Sequence, residues 1–176
     1  MPSEPTRPDV DRYRVGSDAT VEEFLAVAKV YAREVVAHHD LSVDVSGLDW
    51  EVSKRAKRRA GAVKHRDASP ETVSLTWAYF QEHGWTATAD VVRHELVHVH
   101  LLEEHDDPTH GERFREWAGR LGTSLHCEPF ADPNYLVVCE DCGSELARYR
   151  KSALVKRPQD YRCGDCGGRL TARSVE

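Results

Sequence analysis

The sequence predicts a mixed α+β fold that carries a small appendage of different construction at its C-terminal end. Three observations predict it. Phe24, Val27, Ala28, Tyr31 and Val35 form an apolar stripe of helical period. Short segments such as Leu41-Ser42-Val43-Asp44-Val45 and Thr72-Val73-Ser74-Leu75-Thr76 alternate with the two-residue period of strands. Four of the five cysteines fall in two C-x2-C pairs near the C-terminus.

The 176 residues and 40% apolar content suffice for one main domain with a real core, plus the appendage. Mean hydropathy is -0.60, and no apolar run approaches the roughly 18 residues that a membrane-spanning helix needs. With no secretory signal read, the expectation is a cytoplasmic, monomeric protein with reduced thiols. Residues 1–18, rich in prolines and charges, are expected to form a flexible leader. The main domain is expected over 19–132, ending near Asp132-Pro133-Asn134, and the appendage over 133–176.

Each element has its own local justification. Thr20-Val21-Glu22-Glu23 matches a capping box, so the first helix should start there and run to about His38. Leu41 to Val45 then reads as a strand. Arg59 to Lys64 and Glu71 to Thr76 read as two more, around a turn at Asp67-Ala68-Ser69-Pro70. Thr86 to Asp90 offers capping residues and an early acidic charge for a second helix. That helix runs through Val91 to Leu102 without Gly or Pro and should stop at Asp106-Asp107-Pro108. Phe114, Trp117, Ala118 and Leu121 recur at helical spacing and mark a third. In the appendage, Leu146 to Arg150 and Tyr161-Arg162 read as short strands of a ribbon.

The second helix carries the most informative residues, His94-Glu95-Leu96-Val97-His98. Side chains at i and i+4 share one helix face, so both imidazoles can reach one ion. Glu95 follows the first of them directly, where a carboxylate can take a proton from a water beside that ion without ligating it. This H-E-x-x-H pattern means a zinc ion with a general base for hydrolysis. A hydrolytic zinc site takes a third protein ligand and keeps one position open. The extended pattern with a further Gly and His fails here, since those positions hold Leu101 and Glu104. His110, just before the third helix, is the best remaining candidate. Glu112 and Glu116 are its rivals. His100 points off the shared face, and His100 and His105 read as surface histidines. Asp90, Glu112 and Glu116 are candidates for orienting the imidazoles, and Tyr135, His100 and Arg113 for steadying an oxyanion.

Cys139, Cys142, Cys163 and Cys166 have the spacing of a tetrahedral structural zinc site. Two disulfides are the alternative, which an oxidising compartment would require. Four thiolates would hold together a segment of about 40 residues, too short to bury a sufficient core unaided. Cys127, outside the pairs, reads as a small packing residue. Two zinc ions are therefore expected, one catalytic and one structural.

Net charge is -6, but it is unevenly spread. Lys54, Arg55, Lys57, Arg58 and Arg59, with Lys64 and Arg66 beyond, make a dense positive stripe in an acidic protein. Such a stripe can neutralise phosphates of a nucleic acid, or it can be a solvated face that balances acidic neighbours. The ribbon adds Arg148 and Arg150 beside Tyr149, a combination suited to stacking on unpaired bases. A ribbon can equally be a structural cap.

Taken together, the H-E-x-x-H helix, Thr109-His110-Gly111-Glu112-Arg113-Phe114 and the four-cysteine ribbon resemble the SprT-like metallopeptidases, which include the Spartan DNA–protein crosslink proteases. Arg59-Ala60-Gly61-Ala62-Val63 and Thr72 to Thr76 are similar to that family's strands ahead of the metal helix. The likeness runs from about Thr20 to Leu170. It implies a zincin-like domain of minimal gluzincin type, with zinc on His94, His98 and His110 and Glu95 as base. It also implies a protein or peptide substrate and a link to proteins bound on DNA, with single-stranded DNA a candidate partner. The competing reading is a non-catalytic nucleic-acid-binding protein, in which the ribbon and the basic stripe act and the histidine site is structural or vestigial.

Overall fold

In a computed structural model, residues 8–175 are described, and the chain divides into two compact units between Phe130 and Ala131. Both units mix helix and strand or ribbon, so the mixed α+β class holds.

The first unit opens with a short 3-10 turn, Val10–Tyr13, whose start is capped by the Asp9 side chain. The leader expected over 1–18 lies partly outside the described residues. Its remaining part is tied down, because Trp85 Nε1 donates to the Val10 carbonyl and Val10, Tyr13 and Val15 pack on the core. Helix α1, Val21–His39, begins with the expected capping box, Thr20 and Glu23 each bonding the other's backbone N–H. Its stripe is buried at Phe24, Ala28, Tyr31, Ala32 and Val35.

Leu41 to Val45 is not a strand. The Ser46 N–H donates to Asp44 Oδ1 and the Gly47 N–H to the Asp44 carbonyl, so the chain turns where a ladder would have continued. Leu41 and Val45 are still buried, which explains the alternation without any strand partner. The strand comes next, β1 at Asp49–Ser53. It pairs in parallel with β3, Ser69–Thr76, which pairs antiparallel with β2, Gly61–Arg66. The sheet order β1-β3-β2 leaves β2 at an edge. The β2–β3 turn is only Asp67-Ala68, both with positive φ (47 and 63°), the two-residue geometry whose twist suits a hairpin. Pro70 is therefore strand, opposite His65 where the register shifts, rather than turn.

Helix α2, Trp77–His105, is longer than expected because a short helix precedes the one foreseen. The join is Gly84, with φ 78° and ψ -172°, a conformation that only glycine adopts without strain. The Thr88 hydroxyl donates to the Gly84 carbonyl across that break. The helix ends on Asp106 in the left-handed conformation, as the Asp-Asp-Pro signal required. Helix α3, Glu112–Leu121, buries Phe114, Ala118 and Leu121. α2 packs against α1, α3 and the sheet, which makes it the central element of this unit.

The second unit is a three-stranded antiparallel sheet in the order β5-β4-β6, from Tyr135–Cys139 (β4), Glu145–Arg148 (β5) and Leu170–Ser174 (β6). A single-turn helix α4, Ala153–Lys156, and a 3-10 turn at Pro158–Asp160 link β5 to β6. Arg162 makes only an isolated bridge to Arg169, so the strand expected at Tyr161-Arg162 is replaced by a turn-rich loop. Its core is five residues: Val137, Cys139, Val155, Cys163 and Leu170. That is too little burial to hold a unit of this size by itself.

Candidate metal centre

Helix α2 presents His94 and His98 one turn apart on a single face, their ring centroids 5.1 Å apart. The chain then reverses in few residues. The Asp106 N–H and the Asp107 N–H close on Leu102 and Leu101 carbonyls, and Asp107 Oδ1 accepts from both the backbone and the hydroxyl of Thr109. Those bonds hold the Asp107 carboxyl below its ordinary range. This loop brings His110 back under the helix. His110 Nε2 lies 3.1 Å from His94 Nε2 and 3.0 Å from His98 Nε2.

Three ring nitrogens gathered this closely are a demanding arrangement. His94 Nδ1 lies 2.8 Å from the Ser124 carbonyl, which only accepts, so the proton sits on Nδ1 and Nε2 is bare. Burial holds His94 and His110 below the usual imidazole range and takes His98 down to about 3. The nitrogens are therefore neutral lone-pair donors. Their mutual repulsion is relieved by a cation between them, and ligands on a tetrahedral zinc ion stand roughly 3.3 Å apart. The trio fits a divalent ion. Among the described residues, the clusters able to hold one are this trio and the four cysteines. Glu112 and Glu116 are exposed on α3 and belong to neither.

Phe114 forms the floor of the trio. It is fully buried, and its ring centroid lies 4.8, 4.5 and 4.5 Å from those of His94, His98 and His110. Glu95 sits on the side facing β2, buried at 4% exposure. Burial pushes its carboxyl up to about 8, opposed by the Arg59 charge. Edge strand β2 approaches it without a side chain in the way. A Cβ on Gly61 would fall 2.6 Å from Glu95 Oε1 and 2.7 Å from Val91 Cγ1. Gly61, Glu95 and the three histidines all line one cleft of about 430 Å³, with Arg58, Arg59, His65 and His126 also along its walls.

Several expected roles fall elsewhere. His100 is buried rather than on the surface, its ring against Trp117 and its Nδ1 accepting from the Ser42 N–H, so neither surface nor oxyanion duty suits it. Arg113 does not line the cleft, and Tyr135 belongs to the second unit. Asp90 lines the cleft and accepts from Arg93 and the Ser124 N–H rather than from a histidine ring. Phe114, Ser124 and Gly61 went unrecognised as site residues. The i, i+4 spacing of His110 and Phe114 was the one available signal for any of them.

In the second unit, Cys139 and Cys166 sulfurs lie 3.5 Å apart and those of Cys142 and Cys163 3.7 Å apart. A disulfide needs about 2.05 Å, so all four are thiols. The spacing is close to the roughly 3.8 Å edge of a tetrahedron of thiolates around zinc.

The chain was also compared with known proteins. The family model described as SprT-like family matches residues 26–134. The chain belongs to the SprT-like family. The matched stretch runs from within α1 to the start of the second unit and contains the whole histidine cleft. The SprT-like chain is 33% identical over 113 residues to Protein SprT-like of Streptococcus suis, covering 62% of this chain and 71% of that protein. Over 107 residues it is 33% identical to Protein SprT-like of Oceanobacillus iheyensis, at 58% and 69% coverage. It is 29% identical over 104 residues to Protein SprT-like of Bacillus subtilis, at 56% and 67% coverage.

The basic stripe of the SprT-like unit lies in the loop between β1 and β2, with Lys54, Arg55, Lys57, Arg58 and Arg59 all exposed. Arg58 and Arg59 reach the cleft wall. Lys64 and Arg66 are paired with Glu51 and Glu71, as a solvated face would have them. In the second unit Arg150 is exposed, while Arg148 is half-buried and bonds the carbonyl of Ala147. No described helix is long and apolar enough to cross a membrane.

Proposed function

We propose that this SprT-like chain is a zinc-dependent peptidase of zincin-like construction, with His94, His98 and His110 as ligands and Glu95 as general base. The convergence of three imidazole Nε2 atoms beside a buried carboxylate, in one open cleft, is the observation that carries the reading. His94, His98 and His110 would hold the zinc ion, which would supply polarisation of a scissile carbonyl and a more acidic water. The protein supplies the rest. Glu95, buried in the cleft wall next to His94, takes a proton from the attacking water and returns it to the departing amine. Phe114 and the hydrogen bond from His94 Nδ1 to Ser124 hold the rings in register. The four cysteines hold a second zinc whose role is structural, since a closed shell of thiolates leaves no place for substrate.

DNA-bound proteins are the substrate class we assign, on the exposed cations that lead into the cleft. Lys54, Arg55, Lys57, Arg58 and Arg59 neutralise phosphates in this reading, and Arg148 and Arg150 add contacts from the second unit. The setting is cytoplasmic and the chain acts as a monomer.

The test compares the natural protein with Glu95→Gln for cleavage of a DNA-bound protein, with and without single-stranded DNA. The natural protein cleaves, more strongly with DNA. Glu95→Gln retains its zinc and loses about 10²–10⁴ in rate. Equal cleavage by both overturns the assigned base. No cleavage by either, with tight DNA binding, turns the reading toward a nucleic-acid-binding module.

A further inference from the structure

In the turn leading up to His94, α2 carries two side chains that the proposed chemistry does not use. Asp90 stands four residues before His94 on the same helix face, and Arg93 stands immediately before it. Arg93 is 2% exposed, the largest fully buried side chain among the described residues. Its guanidinium donates to the Tyr31 hydroxyl on α1 (2.6 Å), to Asp90 Oδ1 (3.0 Å) and to the Gly122 carbonyl at the end of α3 (3.3 Å). Asp90 in turn accepts from the Ser124 N–H at 3.2 and 3.3 Å, and its backbone carbonyl accepts from the Thr123 hydroxyl at 2.8 Å. The Ser124 carbonyl then accepts the hydrogen bond that His94 Nδ1–H donates.

These contacts form one chain from α1, through α2, to the loop that follows α3. A buried guanidinium is costly, and an apolar residue of similar size would serve the core at least as well. What an apolar residue would not do is pin residues 122–124. That loop has no regular structure of its own. Without the pin, the Ser124 carbonyl loses its fixed position, and His94 is free to rotate or to move its proton to Nε2.

We propose that Asp90 and Arg93 are positioning residues for the histidine site: they fix the Ser124 carbonyl, which fixes the tautomer and direction of His94. The purpose rests on the zinc reading above. The test is arranged so that the two can fail separately.

The full chain, loaded with zinc, is titrated with graded concentrations of a chelator, and zinc per chain is counted. Hydrogen exchange of the Ser124 amide is followed in the same samples. Asp90→Ala weakens the histidine site by about ten- to hundredfold and speeds Ser124 exchange, leaving the four-cysteine ion as tightly held as before. Asp90→Asn, which keeps an acceptor for the Ser124 N–H, recovers part of that loss. Unchanged zinc affinity in Asp90→Ala overturns the proposal, as does equal loss in the Ala and Asn variants. If Asp90→Ala fails to fold because Arg93 is left unpaired, Thr123→Val reads the same loop with Arg93 still paired. A weaker histidine site there supports the proposal, and an unchanged one overturns it. A natural chain that holds no zinc on its histidines defeats the peptidase reading itself, and this role with it.

Discussion

Gly61 and Glu95 meet where an ordinary side chain would not fit. A Cβ on Gly61 would press on both Glu95 and Val91, so the Glu95 carboxyl could not keep its place beside β2. Gly61→Ala is therefore expected to lower kcat at least about tenfold while leaving KM and zinc content close to natural values, since a misplaced base costs transition-state interactions alone. Steady-state kinetics with metal analysis checks this, and an unchanged kcat would show that Glu95 needs no such clearance. At this scale residue type and spacing singled out side chains that the fold does gather: His94 and His98 on one helix, and the paired cysteines. His110 was the best remaining candidate by elimination, and it is the one that clusters with the other two rings, whereas Glu112 and Glu116 do not. Gly61, Ser124 and Phe114 act by where they stand, so their types carry no signal. His100 was misjudged because its burial depends on Trp117 and on a backbone N–H 58 residues away.

The α1 C-terminus shows how an element carries a titration. His39 is half-buried, with Nε2 shielded and unbonded among the described residues. Burial, then the neighbouring His38, Arg120 and Arg93, hold its pKa below 6.5. A group whose folded pKa is depressed binds more protons unfolded, so its stabilisation is complete above pH 6.5 and lost as pH falls below it. Urea midpoints measured from pH 7.5 to 5.5 should fall, and His39→Leu should make that fall shallower; an identical slope would assign the titration elsewhere. Elements with local signals were legible. The capping box of α1, the stop of α2 at Asp106 and the α3 stripe all lie within a few residues of the bonds they make. Strand β1 was not, because Asp49–Ser53 becomes a strand through parallel pairing with residues more than 20 positions away. Nor was the short helix before Gly84, since the capping residues at Thr86 to Asp90 mark only the later start.

At the level of the whole molecule, two units of different construction sit in one chain. The first has an extensive apolar core, whereas the second has five core residues, two of them cysteines. Strong chelation should therefore unfold residues beyond Ala131 and leave α1 and α2 folded. Near-complete loss of amide protection confined to the second unit checks this, and uniform loss or uniform retention would contradict it. The cysteine spacing led to an expected appendage over 133–176, and the chain divides between Phe130 and Ala131. The SprT-like match, spanning residues 26–134, covers the first part.

The account rests on His110 completing a zinc site with His94 and His98, and zinc counted per chain tests that most directly. The natural protein should hold two ions, and His110→Ala one, with the remaining ion lost only when Cys163 is also replaced. A single ion in the natural protein, or two in His110→Ala, would contradict it.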